Sequence, residues 1–162
     1  MVQTAIKTVA DKAFPGLSGD IGSDTHTRSL AMEGGTVKFG HGMVVGTDPL
    51  TQAKLPSAAG ERLAGVLLFQ QQTQDAAAAD LVAGEVGSLM RKGRVWVVTD
   101  EVVAPGDPVF IRHSPGATSD LGSFRNDADT VATVDKAEAV PSAEFLEYDA
   151  TSGVALLEIN LP

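Results

Sequence analysis

The chain has 162 residues, no cysteine, and 21 acidic against 12 basic side chains, for a formal charge of −9. One core suffices at this length, where a compact fold buries roughly 70% of the surface its unfolded chain exposes. The charge repels nucleic acid and anionic lipid, and the missing cysteines exclude disulfides, thiolate zinc sites and a cysteine nucleophile.

Seventeen glycines and eight prolines punctuate runs rich in valine, leucine and phenylalanine, the pattern of short strands joined by turns. The fold class this implies is all-β: a single β-barrel or sandwich-like domain with an extended N-terminal arm. Residues 1–35 are the expected arm. Their apolar side chains are sparse (Ile6, Val9, Phe14, Leu17, Ile21, Leu30), and F-P-G-L-S-G-D-I-G-S-D is turn-forming throughout. The first twelve residues lack an apolar stretch of signal-peptide length, and no run approaches the ~18 residues of a membrane span, so no secretory signal and no membrane partner are expected.

Residues 36–162 are the expected β-rich domain. In T-V-K-F-G-H-G-M-V-V, alternation along one strand puts Val37, Phe39, His41, Met43 and Val45 on one face and Thr36, Lys38, Gly40, Gly42 and Val44 on the other. The glycine pair leaves a flat spot where another backbone can approach. E-R-L-A-G-V-L-L-F, residues 61–69, reads as a buried strand, and Q-Q-Q-T-Q-D-A-A-A-A-D after it reads as a surface loop. Residues 88–99 and 108–113 are two further strands. Between them A-P-G-D suits a type II turn, with Pro105 at its second position and Gly106 at the third, where φ must be positive. A-E-F-L-E-Y and V-A-L-L-E-I-N-L form a hairpin, the last strand carrying Ala155, Leu157, Ile159 and Leu161 on its apolar face.

Catalytic chemistry finds little support. His26, His41 and His113 are scattered and form no H-x-H or H-E-x-x-H arrangement. His41 shares a face with apolar neighbours and reads as a packed histidine. Asp24 and His26 lie on one side of an extended segment, but a flexible arm is a poor place for an acid–base pair. Ser114 and His113 are strand neighbours that point to opposite faces. The glycines of G-L-S-G-D-I-G follow no strand and open no helix, and the phosphate-loop and nucleophile-elbow motifs are absent. The carboxylates are numerous, and which of them converge is left open. Arg91, Lys92 and Arg94 form the densest basic cluster, either solvated or facing an acidic partner surface. They lead into V-W-V-V, apolar on both faces, where Trp96 reads as a core or interface anchor.

R-K-G-R-V-W-V, V-A-P-G-D-P-V-F-I-R-H, L-G-S-F-R-N-D-A-D and A-E-F-L-E-Y-D-A-T-S-G-V-A-L-L-E-I-N-L-P, in that order, resemble the structural cement or head-decoration proteins of tailed bacteriophages. The segment from Phe14 through Thr47 resembles the N-terminal part of the same family. Q-Q-Q-T-Q-D-A-A-A-A-D and T-V-A-T-V-D-K-A-E-A-V depart from it, as variable loops do. The resemblance implies a virion structural protein, made in the bacterial host cytoplasm and bound to the outside of a capsid. There it bridges major capsid subunits and stabilises the DNA-filled head. It also implies a homo-oligomer, a trimer in preference to a dimer. No enzyme activity, catalytic residue, cofactor or metal comes with it, and nucleic acid is not a partner. The candidate capsid or oligomer interface is Phe14, Leu17, Ile21, Arg28, Arg91, Lys92, Arg94 and Trp96. The alternatives are a trimeric β-barrel nucleotide hydrolase, a cupin-type metalloenzyme and a carbohydrate-binding β module. Each lacks its phosphate loops, its histidine cluster or its exposed aromatic platform.

Overall fold

A computed structural model of the protein describes residues 13–19, 24–70, 80–115, 120–131 and 135–162. Among these residues there is no helix. In chain order the strands are β1 (His26–Met32), β2 (Thr36–Lys38), β3 (Gly42–Val45), β4 (Gln52–Lys54), β5 (Leu63–Leu67), β6 (Asp80–Val82), β7 (Val86–Val98), β8 (Phe110–Arg112), β9 (Phe124–Arg125), β10 (Ala137–Ala139), β11 (Ala143–Asp149) and β12 (Val154–Asn160). The fold is all-β.

The main sheet runs β1-β4-β3-β5-β7-β12-β11, and β1 also pairs with β7, which closes five strands into a barrel-like ring. Closure removes two sheet edges that would otherwise invite pairing with another chain. β7 makes it possible by its length of 13 residues. Its first half pairs with β1 and β5, and its second half pairs with β12, Trp96 standing opposite Leu156. Gly93 separates the halves with φ +127°, in a region other residues rarely adopt. The strands β10-β8-β9 form a second sheet, and β2 and β6 form a two-stranded ribbon.

Side-chain alternation sorts the interior into separate cores. Leu30, Met43, Ala53, Leu67 and Leu89, one from each barrel strand, fill the ring. Val66 and Met90, next along β5 and β7, point the other way, into a core with Ile111, Phe124, Phe145 and Leu157. That core joins the β7–β12–β11 extension to the β8–β9 sheet.

Three expectations need correction. Strand structure begins at His26, ten residues before the expected start at Thr36, and β1 is a wall of the barrel. Leu30 and Met32 are each only 2% exposed, and the polar run T-H-T-R-S before them hides the start of the strand in the sequence. The stretch 36–45 is two strands, since the chain turns at Phe39 and Gly40, where φ is +77°. The expected alternation survives in the burial of Val37, Phe39, His41 and Met43. Val44 is buried as well, because the β3–β5 register shifts between Met43 and Val44. The segment 130–140 includes β10, paired with β8 from Ala137 to Ala139, so it is only partly loop. The alanine-rich insert lies outside the described residues at positions 71–79.

The other expected elements match. The amide of Asp107 donates to the Ala104 carbonyl at 3.1 Å with Gly106 at φ +85°, as the type II turn requires. β11 and β12 form the hairpin, and Ala155, Leu157 and Ile159 are buried.

Candidate interaction surface

Residues 13–19 lie as a strap along the second half of β7. The Gly16 amide donates to the Trp96 carbonyl at 2.7 Å, the Trp96 amide to the Leu17 carbonyl at 2.9 Å, and the Gly19 amide to the Arg94 carbonyl at 2.8 Å. The far side of the strap is also bonded, the Phe69 amide donating to the Gly16 carbonyl at 2.8 Å. Only glycine fits between these backbones. Gly16 has φ +79°, and a Cβ there would stand 2.6 Å from the Phe69 nitrogen. The flat spot expected at the Gly40–Gly42 pair is used by this strap, since a Cβ on Gly40 would meet the Gly16 nitrogen at 2.9 Å.

The strap decides where the expected interface residues go. Trp96 is 5% exposed, packed with Ala13 and Val154 and flanked by Leu17 and Leu156. It therefore supports the surface from beneath instead of forming it, a correction to its place among the contact residues. The cause is that residues 13–17 cover Trp96, in keeping with a strand that is apolar on both faces. Leu17 packs on Trp96, and Phe14 meets Phe69 edge to face at 5.0 Å between ring centroids. Ile21 lies outside the described residues.

The basic cluster is paired within the chain. Lys92 Nζ is 2.7 Å from an Asp24 oxygen, Arg94 Nε is 3.0 Å from Glu158, and the Arg91 guanidinium donates to the Pro162 carbonyl. Arg28 donates to the Leu50 carbonyl at 2.8 Å. The hydrogen bond from Lys92 holds the Asp24 carboxyl below its ordinary pKa. Because both ion pairs stand largely in solvent, each adds little stability, and a partner surface can exchange them at little cost. Asp24 is thus committed to Lys92, and no hydrogen bond joins it to His26 among the described contacts.

Beside the strap opens a pocket of about 420 Å³ lined by Phe14, Pro15, Phe39, Phe69, Val98 and His41, with Lys38, Asp80 and Asp120 at its edge. Phe69 remains 45% exposed there, although it also packs edge to face on Phe39 at 5.3 Å. His41 is 2% exposed; its Nδ1 lies 3.4 Å from the Phe39 carbonyl, and its Nε2 has no partner among the described residues. Burial pushes its pKa below the ordinary value.

Sequence reasoning missed a buried ion cluster. Arg112 and Asp100 are joined with 2% and 7% of their side chains exposed, and Arg112 Nη1 also reaches Asp129 at 2.9 Å. Arg125 lies beside them, 2.6 Å from Asp127 and 3.3 Å from Glu101. Burial opposes the Arg112 charge, yet the hydrogen bonds and fields of Asp100 and Asp129 outweigh it and hold the pKa above its ordinary value. Asp129 sits at φ +45°, a backbone that aspartate tolerates better than most residues. The signal was the pairing of I-R and F-R, each arginine next to a core residue, with the acidic D-E at 100–101 and D-A-D at 127–129. The cluster ties the loop before β8 and the loop after β9 to those two strands. Among the described residues no three His, Asp or Glu side chains converge as a metal site.

The sequence model of the family described as "Structural cement protein (E217 gp24/Pam3 gp6)" matches residues 2–160. No curated protein matches the chain. Among solved structures, a chain of "The capsid of Myoviridae Phage XM1" superposes with a TM-score of 0.75 at 16% identity, covering 99% of this chain and 97% of that one. At that identity the likeness speaks for the fold. The family match extends over strap, barrel and hairpin together, and the chain belongs to the phage structural cement proteins, a family of capsid structural proteins.

Proposed function

We propose that the protein binds the outer surface of an icosahedral phage capsid, bridges neighbouring major capsid subunits and so stabilises the DNA-filled head. The observation that carries this reading is the family match across residues 2–160, which takes in the whole framework and not one grafted segment. The architecture supports it. A barrel closed on itself, with a buried ion cluster tying down its loops, is a stiff body, and stiffness lets a small contact resist shell expansion without yielding. The −9 charge disfavours the packaged genome as a partner. On a symmetric shell the protein acts as a homo-oligomer, a trimer in preference to a dimer, so that several weak contacts add by avidity.

The test is co-sedimentation with expanded capsids and, separately, with duplex DNA at ~0.15 M salt, where fields are screened beyond about 8 Å. Pelleting with capsids near one copy per shell subunit is expected. Retention on DNA with none on capsids rejects the reading.

A further inference from the structure

We propose that the pocket between the strap and the barrel is a socket for one tryptophan or tyrosine side chain of the shell protein, with a basic residue beside it. The inference rests on the capsid-binding reading above and names where contact is made.

The occupant follows from three features of the pocket. Its walls are mostly apolar: Phe14, Pro15, Phe39, Phe69 and Val98 line an open pocket of about 420 Å³, room enough for a large aromatic ring. Phe69 stays 45% exposed while packed edge to face with Phe14 and Phe39, so part of its aromatic surface is kept in water by the packing of its neighbours. Such a surface attracts another ring in an offset or edge-on arrangement.

The second feature is His41. A carbonyl only accepts, so the contact between Nδ1 and the Phe39 carbonyl places the imidazole proton on Nδ1. Nε2 is then a lone-pair acceptor, shut off from solvent and without a partner among the described residues. Nε2 is closed to a water-sized probe, so an occupant meets it only when the imidazole shifts toward the pocket, and one carrying a donor then supplies what Nε2 lacks. Leucine, methionine and phenylalanine carry none, and serine and threonine lack the apolar body. Indole N–H and phenol O–H combine both.

Charge is the third. Lys38 stands opposite Asp80 across the β2–β6 ribbon and binds Asp120 at 2.6 Å, so the edge holds two carboxylates against one ammonium, a net of −1. A lysine or arginine next to the aromatic residue complements that edge. Aromatic and arginine anchors in desolvated pockets are also where binding energy concentrates in protein interfaces.

The experiment has two arms. In the first, the isotope-labelled protein is titrated with N-acetyl-tryptophanamide, N-acetyl-tyrosinamide and N-acetyl-phenylalaninamide. Saturable shifts of the Phe39 and Phe69 ring signals and of the His41 Nε2 resonance are expected with the first two at millimolar concentration, the range of a single side chain. The phenylalanine probe, lacking a donor, should bind more weakly and leave Nε2 unmoved. In the second, Phe69→Ala, at an exposed position, should remain folded and lose about tenfold or more in capsid affinity, whereas Leu50→Ala, on an exposed loop elsewhere, should bind as the parent does. A folded Phe69→Ala variant with parental capsid affinity, or no saturable shift with any probe, overturns the socket. Failure of the parent protein itself to bind capsids overturns the capsid reading instead, and the two failures are distinguished by the parent control.

Discussion

The Arg112 guanidinium and the Asp100 carboxylate face each other with 2% and 7% of their side chains exposed, and each is the other's nearest compensation for lost water. Two buried charges brought together gain little over an apolar pair, but removing one strands the other. Asp100→Leu should therefore cost about 3–5 kcal/mol. The double replacement Arg112→Leu with Asp100→Leu should cost less than the sum of the single changes. Denaturant unfolding of all four proteins closes the cycle, and additive losses would show that the ions act independently. Asp129 and Arg125 share the cluster, so Asp129→Ala is expected to fall between the extremes.

A second prediction separates conformational strain from crowding. Gly16 and Gly106 both occupy left-handed backbone, at φ +79° and +85°, but a Cβ on Gly16 meets the Phe69 backbone while one on Gly106 meets nothing within 4 Å. Gly106→Ala should cost roughly 1–2 kcal/mol from the left-handed penalty alone. Gly16→Ala must add the displacement of the strap to that penalty, and its melting temperature should be the lower of the two. Equal losses would mean that the strap gives way without resistance.

The contrast between these two glycines also marks what could be read from the sequence. Gly106 announced itself through A-P-G-D, because a tight turn is a local matter of four residues. The hairpin of β11 and β12 and the buried strand at β5 were legible for the same reason, each set by its own alternation. Gly16 showed only as one glycine in a turn-rich stretch, since its constraint comes from Phe69 and Trp96, more than fifty residues away along the chain. β1 was missed likewise: barrel closure buries Leu30 and Met32, and no local pattern encodes closure. Arg112 and Asp100 found each other through the fold. Phe14 and Leu17 stand out in the sequence as apolar side chains of the arm, whereas the cover that Ala13 and Leu17 place over Trp96 depends on pairings with β7 that no local pattern encodes.

Stability should decline on acidification in two stages. His41 is buried, which lowers its pKa from an ordinary 6.5; Asp120 and Asp100 pull the other way and Lys38 adds to the lowering. The unfolded chain then binds a proton that the folded one refuses, so stability is lost as pH falls below about 6.5. Glu61 contributes to a lower range, which it shares with other carboxylates held below their ordinary pKa, Asp120 and Asp129 among them. Burial raises the Glu61 pKa, but the hydrogen bonds from Lys54 and from the Ser57 and Ala58 amides outweigh this and bring it to about 2 from an ordinary 4.5. Its contribution is present above pH 4.5 and disappears as pH drops toward 2. Melting temperatures from pH 8 to pH 3 should show both slopes. Glu61→Gln should make the lower one shallower and leave the upper unchanged, and a change in the upper slope alone would overturn the assignment.

The last prediction concerns the strap and the barrel wall behind it. Trp96 is the sole tryptophan and 5% exposed, so the native protein should emit as a shielded indole and shift to the red on unfolding. Its cover is Ala13 and Leu17, whereas β1 is held separately by its pairing with β7 and β4. Removing residues 1–19 should thus leave a barrel that unfolds cooperatively, with Trp96 emission shifted red in the folded state and stability reduced. Removing residues 1–35 takes β1 as well, opens the ring between β4 and β7, and exposes Leu30's former neighbours Met43 and Leu89 to water. That longer truncation should fail to fold. Trp96→Ala should cost about 3–5 kcal/mol in the intact chain, the range for emptying a large buried aromatic site, and distinctly less once the strap is gone, because the ring is then already in contact with solvent. If the two truncations unfold alike, with sharp transitions and native-like emission, β1 and the strap are both dispensable, and the barrel is closed by something other than the β1–β7 pairing.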